Sequence, residues 1–326
     1  STLVSDTMAP MKVIIDTDPG IDDAMALLFA HYANDIELLG ITTVFGNGTI
    51  DTVTQNTLTI CEQFQINAPV HQGAGAPLQV AVDPPPAFVH GNDGLGDIDA
   101  PKPKGAARNQ SAANFIVETI LKHPNEITVI GIGRLTNLAI ALQQHPAIAQ
   151  LVKKVVIMGG ALGSNAHTGN VTPVAEANIY GDPHAADQVL TAPWPVTLVG
   201  LDVTMQCIMH RPQLQKICSA AGAAGRFMWA ISRHFESFYS ASRGINGFPM
   251  HDTCAIAYAL APHLFTTQSG AIRAVTQGIS RGQTIMVSPD RKFPTGAWTD
   301  APIQQGCIDI DAAAVLNLFQ RVLTRP

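Results

Sequence analysis

Short β-branched runs alternate with stretches of helical apolar periodicity from Lys12 to Asp202. That rhythm is satisfied by a parallel sheet whose faces are covered by crossover helices. Lys12–Asp16 (KVIID) reads as a buried strand, Asp22–Ala33 as a helix, Leu38–Val44 as a second strand and Asp51–Phe64 as a second helix. Ser111 is a plausible N-cap for a helix running to Lys122. The strings ITVIGIG, KVVIMGG and VTLVGLD read as further strands, spaced by the helical LTNLAIALQQ and DPHAADQVL. The expected fold is α/β, a doubly wound, mostly parallel Rossmann-like sheet. Its ligand belongs beyond the carboxyl ends of the strands.

After Asp202 the rhythm changes. A helical region is expected over Arg211–Arg243, a helix over Asp252–Ala261, a hairpin in AIRAVTQGISRGQTIMVS and a closing helix over Asp311–Leu323. No Pro/Ser-rich linker interrupts the chain, so 11–326 is expected to form a single domain with these additional C-terminal helices and hairpin. Residues 1–10 (STLVSDTMAP) lack a basic region and carry Asp6, so they read as a disordered leader or vector remnant rather than a secretory signal.

Composition narrows the partners. Lys and Arg number 19 against 25 Asp and Glu, a net charge of −6 with no basic block, which argues against nucleic acid and anionic membranes. No apolar run approaches the ~18 residues of a membrane span. Five cysteines without a C-x-x-C pair argue against a disulfide framework or zinc motif and favour a reducing cytoplasm.

The strongest local signal is Asp16-Thr17-Asp18-Pro19-Gly20-Ile21-Asp22-Asp23, four carboxylates in eight residues directly after a buried strand. Asp22 and Asp23 fall in the first turn of the next helix, so all four can converge. A helix N-terminus stabilises a carboxylate by only ~0.3–1 kcal/mol, too little to hold four together in a crevice. A hard divalent cation can, and oxygen donors without nearby His or Cys suit Ca²⁺ or Mg²⁺. The plain alternative is dipole-satisfying helix-start acids with no metal. A sharper rival is an aspartate-nucleophile phosphohydrolase of the haloacid dehalogenase type, using Asp16 and Mg²⁺, although Gly20 stands where that motif wants Thr or Val.

DTDPGIDDA resembles the N-terminal signature of the nucleoside hydrolases. The similarity continues in order through ITTVFGN (Ile41–Asn47), HGNDGLG (His90–Gly96), GRLTNLA (Gly133–Ala139), VVIMGGA (Val155–Ala161), GNVTPVAEANIYGDPHAA (Gly169–Ala186), VGLDVT (Val199–Thr204) and MHDTCAIAY (Met250–Tyr258). The resemblance implies a calcium-dependent ribohydrolase that splits the N-glycosidic bond of ribonucleosides, in nucleoside salvage, as a homo-oligomer (dimer or tetramer). It implies Ca²⁺ ligands at Asp18, Asp23, Asp252 and the Ile132 carbonyl. Asp22 and Asn178 would then bind the ribose 2′ and 3′ hydroxyls, Asn170 and Glu176 the 5′ side, and Asn47 would support them. Asp18 would act as general base on a metal-bound water, and His251 would protonate the departing base, with Tyr239 and His90 beside the base pocket. These roles fit the chemistry, because an oxocarbenium-like transition state needs nearby negative charge, an activated water and help for the leaving group.

A histidine before a helix-starting acid ordinarily packs or caps; its place beside Asp252 sets His251 apart. An unperturbed pKa near 6.5 suits it to proton donation. Trp194, Trp229 and Trp298 show no pairing around the site loops, which favours the histidine-bearing branch of the family and inosine, uridine or cytidine as substrate. Gly131-Ile132-Gly133 lacks the third glycine of a dinucleotide fingerprint and reads as a turn. Cys254 reads as a structural thiol, and GISRG (Gly278–Gly282) as a chance match to a nucleophile elbow. A non-catalytic Ca²⁺-dependent nucleoside-binding protein is the remaining alternative.

Overall fold

A computed structural model describes residues 9–293 and 296–325; most of the expected leader, 1–8, lies outside them. Its strands are β1 (Met11–Thr17), β2 (Ile36–Thr43), β3 (Val70–Gln72), β4 (Ile127–Gly131), β5 (Lys154–Met158) and β6 (Val196–Val199), then β7 (Ile208–His210), β8 (Gly247–Pro249), β9 (Phe265–Ala274), β10 (Thr284–Val287) and β11 (Ile303–Ile310). The helices are α1 (Ile21–Tyr32), α2 (Ile50–Phe64), α3 (Ala87–His90), α4 (Ala112–Lys122), α5 (Thr136–Gln144), α6 (Ile148–Leu151) and α7 (Ala177–Gly181). They continue with α8 (Pro183–Thr191), α9 (Leu201–Thr204), α10 (Arg211–Ala220), α11 (Gly222–Arg243), α12 (His251–Leu260) and α13 (Ala312–Leu323).

Nine strands form one sheet in the order β10-β9-β11-β6-β5-β4-β1-β2-β3, while β7 and β8 make a separate antiparallel pair. The run from β11 through β6 to β3 is parallel; β9 and β10 add an antiparallel edge. β1 is a continuous apolar run because both its faces are covered. Val13 and Ile15 join a core with α1, α11, α12 and α13, where the Phe29 and Phe319 rings meet edge to face at 5.3 Å. Ile14 points to the other core, with Ile116 of α4, Leu138 of α5 and Val189 of α8. From β1 the chain winds outward to β2 and β3, then returns to place β4 on the other side of β1. The strand order therefore reverses between β1 and β4, and a crevice opens beyond their carboxyl ends.

The doubly wound sheet and the β9–β10 hairpin follow the sequence expectation, with differences in detail. The VTLVGLD segment leaves the sheet at Val199 and turns into α9, which lets Asp202 accept the Leu162 and Ser164 amides at 2.9 and 2.8 Å. The long helical region breaks at Gly222, whose φ of 60° is left-handed, into α10 and α11. The expectation missed β11, which inserts between β6 and β9.

Candidate active site

The crevice is lined by the chain leaving β1, β2, β4 and β5, and by the starts of α11's C-terminal half and α12. Asp16 is the last inward carboxylate of β1. Its Oδ2 accepts Thr42 Oγ1 at 2.6 Å and Asn137 Nδ2 at 2.8 Å, tying β1 to β2 and α5. Burial pushes its pKa up to about 7, against the lowering effect of those two bonds.

Asp18, Asp22, Asp23 and Asp252 are all buried, and burial holds each carboxyl above the usual carboxylate range. They also repel one another: Asp23 raises Asp18 and Asp22, and Asp252 is raised further by Asp22, Asp23 and Asp18. The scaffold fixes some of their oxygens. Asp23 Oδ2 accepts Thr17 Oγ1 at 2.7 Å and the Asp18 amide at 3.2 Å, while Asp23 Oδ1 accepts Asn47 Nδ2 at 3.0 Å. Asp22 Oδ2 accepts the amide of Asp252 at 2.9 Å, joining the starts of α1 and α12. Asp18 Oδ2 accepts the Asn47 amide at 2.9 Å and pairs with Arg134 Nη1 at 3.2 Å. Asp18 Oδ1 and Asp22 Oδ1 are buried without any partner.

Among the described residues no three acidic, imidazole or thiol side chains form a finished metal cage. The fit of a cation rests instead on the two partnerless buried oxygens and on the crowding of four carboxylates, which an ion with oxygen ligands relieves. The Ile132 carbonyl, next to β4, accepts Asn178 Nδ2 at 3.2 Å; that amide also reaches the Met158 carbonyl at 3.0 Å. Glu176 caps α7: its carboxylate accepts the amides of Gly160, Asn178 and Ile179 at 2.8, 2.8 and 3.2 Å. Burial still raises its pKa. Asn170 sits on an exposed loop and accepts the Ala177 amide at 3.0 Å, so it approaches Glu176 from outside.

On the other side His251 and Tyr239 meet. His251 Nδ1 stands 2.8 Å from Thr204 Oγ1 and Nε2 stands 3.2 Å from the Tyr239 hydroxyl, a chain across α9, α12 and α11. Burial, with Arg243 adding repulsion, pushes His251 down to about 4, well below the near-neutral value the sequence suggested. The ring is uncharged at pH 7. Burial also raises the Tyr239 phenol, followed by the nearby Asp22 charge. His90 is buried, its Nδ1 accepting the Ile21 amide at 3.1 Å, and it is pushed down to about 3. Its ring proton therefore sits on Nε2.

Thus Asp18, Asp23 and Asn47 form one hydrogen-bonded group with the bonded pair Asp22 and Asp252 against it, Asn178 and Glu176 form a second group beside them, and His251 with Tyr239 a third. Sequence reasoning missed Thr17, Thr204, Asn137 and Arg134, although VGLDVT and GRLTNLA contain three of them. Two surface hollows elsewhere, one by Leu142, Pro146 and Gln188 and one by Tyr32, Ala221 and Arg325, hold no comparable acidic cluster.

Residues 13–317 match the family model of the inosine-uridine preferring nucleoside hydrolases. The chain is similar to uridine nucleosidase 1 of Arabidopsis thaliana, 41% identical over 97% of this chain and 94% of that one. It is also similar to the inosine-uridine preferring nucleoside hydrolase of Crithidia fasciculata, 39% identical over 79% and 82%. A solved plant nucleoside hydrolase, PpNRh1, superposes with a TM-score of 0.91 at 33% identity, covering 97% of this chain and all of that one. The chain belongs to the inosine-uridine preferring nucleoside hydrolase family, hydrolases that act on N-glycosyl bonds.

Proposed function

We propose that this protein hydrolyses uridine and inosine, and cytidine with them, to ribose and free base, with Ca²⁺ held by Asp18, Asp23, Asp252 and the Ile132 carbonyl. The observation carrying this reading is the buried four-carboxylate cluster, with Asp18 Oδ1 and Asp22 Oδ1 partnerless, beside the Thr204–His251–Tyr239 chain. Relatives named for uridine and for inosine-uridine support the substrate class. Metal dependence is a property of the family; the all-oxygen donor set favours calcium. When bound, that cation supplies Lewis acidity toward water and the ribose diol.

The chain's own residues supply the rest. Asp18 Oδ1 takes the proton of the attacking water. Asp22, fixed at its other oxygen by the Asp252 amide, and Asn178 hold the ribose 2′ and 3′ hydroxyls; Asn170 and Glu176 hold the 5′ end. Asn47 keeps the Asp18 and Asp23 carboxylates in place. These carboxylates stabilise the positive charge that develops on the sugar ring. The base departs with a proton delivered through the His251–Tyr239 pair, and the proton taken by Asp18 returns to that pair through solvent. In the tautomer that serves this step, Thr204 Oγ1 donates to Nδ1, so that the ring N–H of His251 on Nε2 faces Tyr239 and leaves the phenolic proton free for the base. His90 walls the base side and fixes the Ile21 amide at the start of α1.

Asp16 as nucleophile of a phosphohydrolase fits poorly, since the side chain is fully buried in the sheet with its Oδ2 held by Thr42 and Asn137. A cytoplasmic, homo-oligomeric enzyme without nucleic-acid or membrane partners completes the proposal. The five free, buried cysteines support a reducing compartment, and the net charge of −6 supports a small-molecule rather than a nucleic-acid partner. Among the described residues no helix is long and apolar enough to cross a membrane. The test is ribose release: Asp18→Asn should release none from uridine or inosine, and wild-type-like turnover would refute the assigned base.

A further inference from the structure

Arg134 reaches the crevice from the turn between β4 and α5, and the fold makes room for it. A Cβ on Gly46 would stand 2.6 Å from Arg134 Nη1, and one on Gly181 would collide with Nε, so two glycines form a slot around the guanidinium. Gly46 has a φ of 153°, which disfavours a side chain there in any case. The side chain is 12% exposed, and its Nε has no partner. Nη1 lies 3.2 Å from Asp18 Oδ2 and 3.4 Å from Asn178 Oδ1, bridging the acid cluster and the amide that reaches the Ile132 carbonyl.

This makes the two oxygens of Asp18 unequal. Oδ2 is held by Arg134 and by the Asn47 amide; Oδ1 has nothing. A carboxylate free to spin about its Cβ–Cγ bond would present either oxygen to the reacting water, whereas one pinned by a guanidinium and an amide presents a single oxygen in a fixed direction. We infer that Arg134 is a positioning residue: seated in the Gly46–Gly181 slot, it pins Asp18 Oδ2 so that Oδ1 alone faces substrate, and it serves as resident counter-charge to the acid cluster before a cation arrives. The inference rests on the reading of Asp18 as the base.

The test compares Arg134→Met, Arg134→Lys and Arg134→Ala on uridine and inosine. Arg134→Met should lower kcat at least ten-fold while KM stays within about three-fold, since orientation and not ribose binding is lost. Arg134→Lys, keeping one donor, should recover part of that loss. Added guanidinium should reactivate Arg134→Ala several-fold by entering the vacated slot. Calcium should raise the melting temperature of Arg134→Met more than that of the wild type, because the metal-free variant lacks its counter-charge. A kcat for Arg134→Met within two-fold of wild type, or an unchanged calcium-induced melting shift, overturns the inference. If Arg134→Met does not fold, Arg134→Lys with wild-type kcat and KM and no rescue of Arg134→Ala overturns it equally. Asp18→Asn, run in parallel, separates the two failures: if that variant stays active, the reading of Asp18 has failed, and if it is dead while Arg134→Met is unimpaired, only the role of Arg134 has.

Discussion

The Tyr239 hydroxyl and His251 Nε2 stand 3.2 Å apart in a buried contact that joins the end of α11 to the start of α12. Burial pushes His251 down to about 4, so in the proposed mechanism the pair would hand on a proton as a unit rather than from a resting imidazolium.

His251→Ala should slow inosine by about 10²–10⁴-fold, the usual worth of positioned acid catalysis. It should slow p-nitrophenyl riboside far less, because that leaving group needs little protonation. Steady-state kinetics on both substrates checks this; equal losses would remove the leaving-group role. Tyr239→Phe should show the same selectivity at smaller size.

Gly20 stands where a Cβ would come within 2.5 Å of His90 Nδ1. Gly20→Ala should displace His90, break its bond to the Ile21 amide and shift the Asp22–Asp23 turn. Turnover should fall at least ten-fold with folding retained by circular dichroism. His90→Ala in the Gly20→Ala background removes the clash and should restore part of the cation-induced melting shift.

Gln304 on β11 is buried and knits the sheet from within. Its Oε1 accepts the Val196 amide at 2.9 Å, and its Nε2 donates to the Leu190 and Trp194 carbonyls at 3.1 and 3.0 Å. Gln304→Leu would leave these backbone groups buried without partners, a cost of about 2–4 kcal/mol. The urea midpoint should drop with no change in KM; an unaltered midpoint would show that water or backbone shifts replace the amide.

β1, β2, β4, β5 and β6 were legible because a sheet covered on both faces writes continuous apolar runs, as Val13-Ile14-Ile15 does, whereas the three-residue β3 is too short to write one. β11 was not, because IQQGCIDI places Gln304 and Gln305 in a strand where their amides are satisfied by tertiary partners no local pattern announces. The acid cluster was legible from its density after β1, but Asp252 joined it only through family resemblance, being 229 residues from Asp23 along the chain. Arg134 and Thr204 escaped notice because a single Arg or Thr in a turn carries no periodic signal. Their importance comes from distances set by the fold, 3.2 Å to Asp18 and 2.8 Å to His251. The depressed pKa of His251 was likewise invisible, since burial arises from α9, α11 and α12 closing around it.

In the proposed reading, buried carboxylates around Asp18 hold a calcium ion for nucleoside hydrolysis. The most direct measurement is ribose release from uridine, inosine, cytidine, adenosine and guanosine, before and after stripping with a strong calcium chelator and after calcium is returned. Release from uridine, inosine and cytidine should fall by at least about 100-fold on stripping and return with calcium but not with an equal concentration of magnesium. Undiminished release by the stripped protein, or none from any nucleoside with calcium present, would contradict that reading.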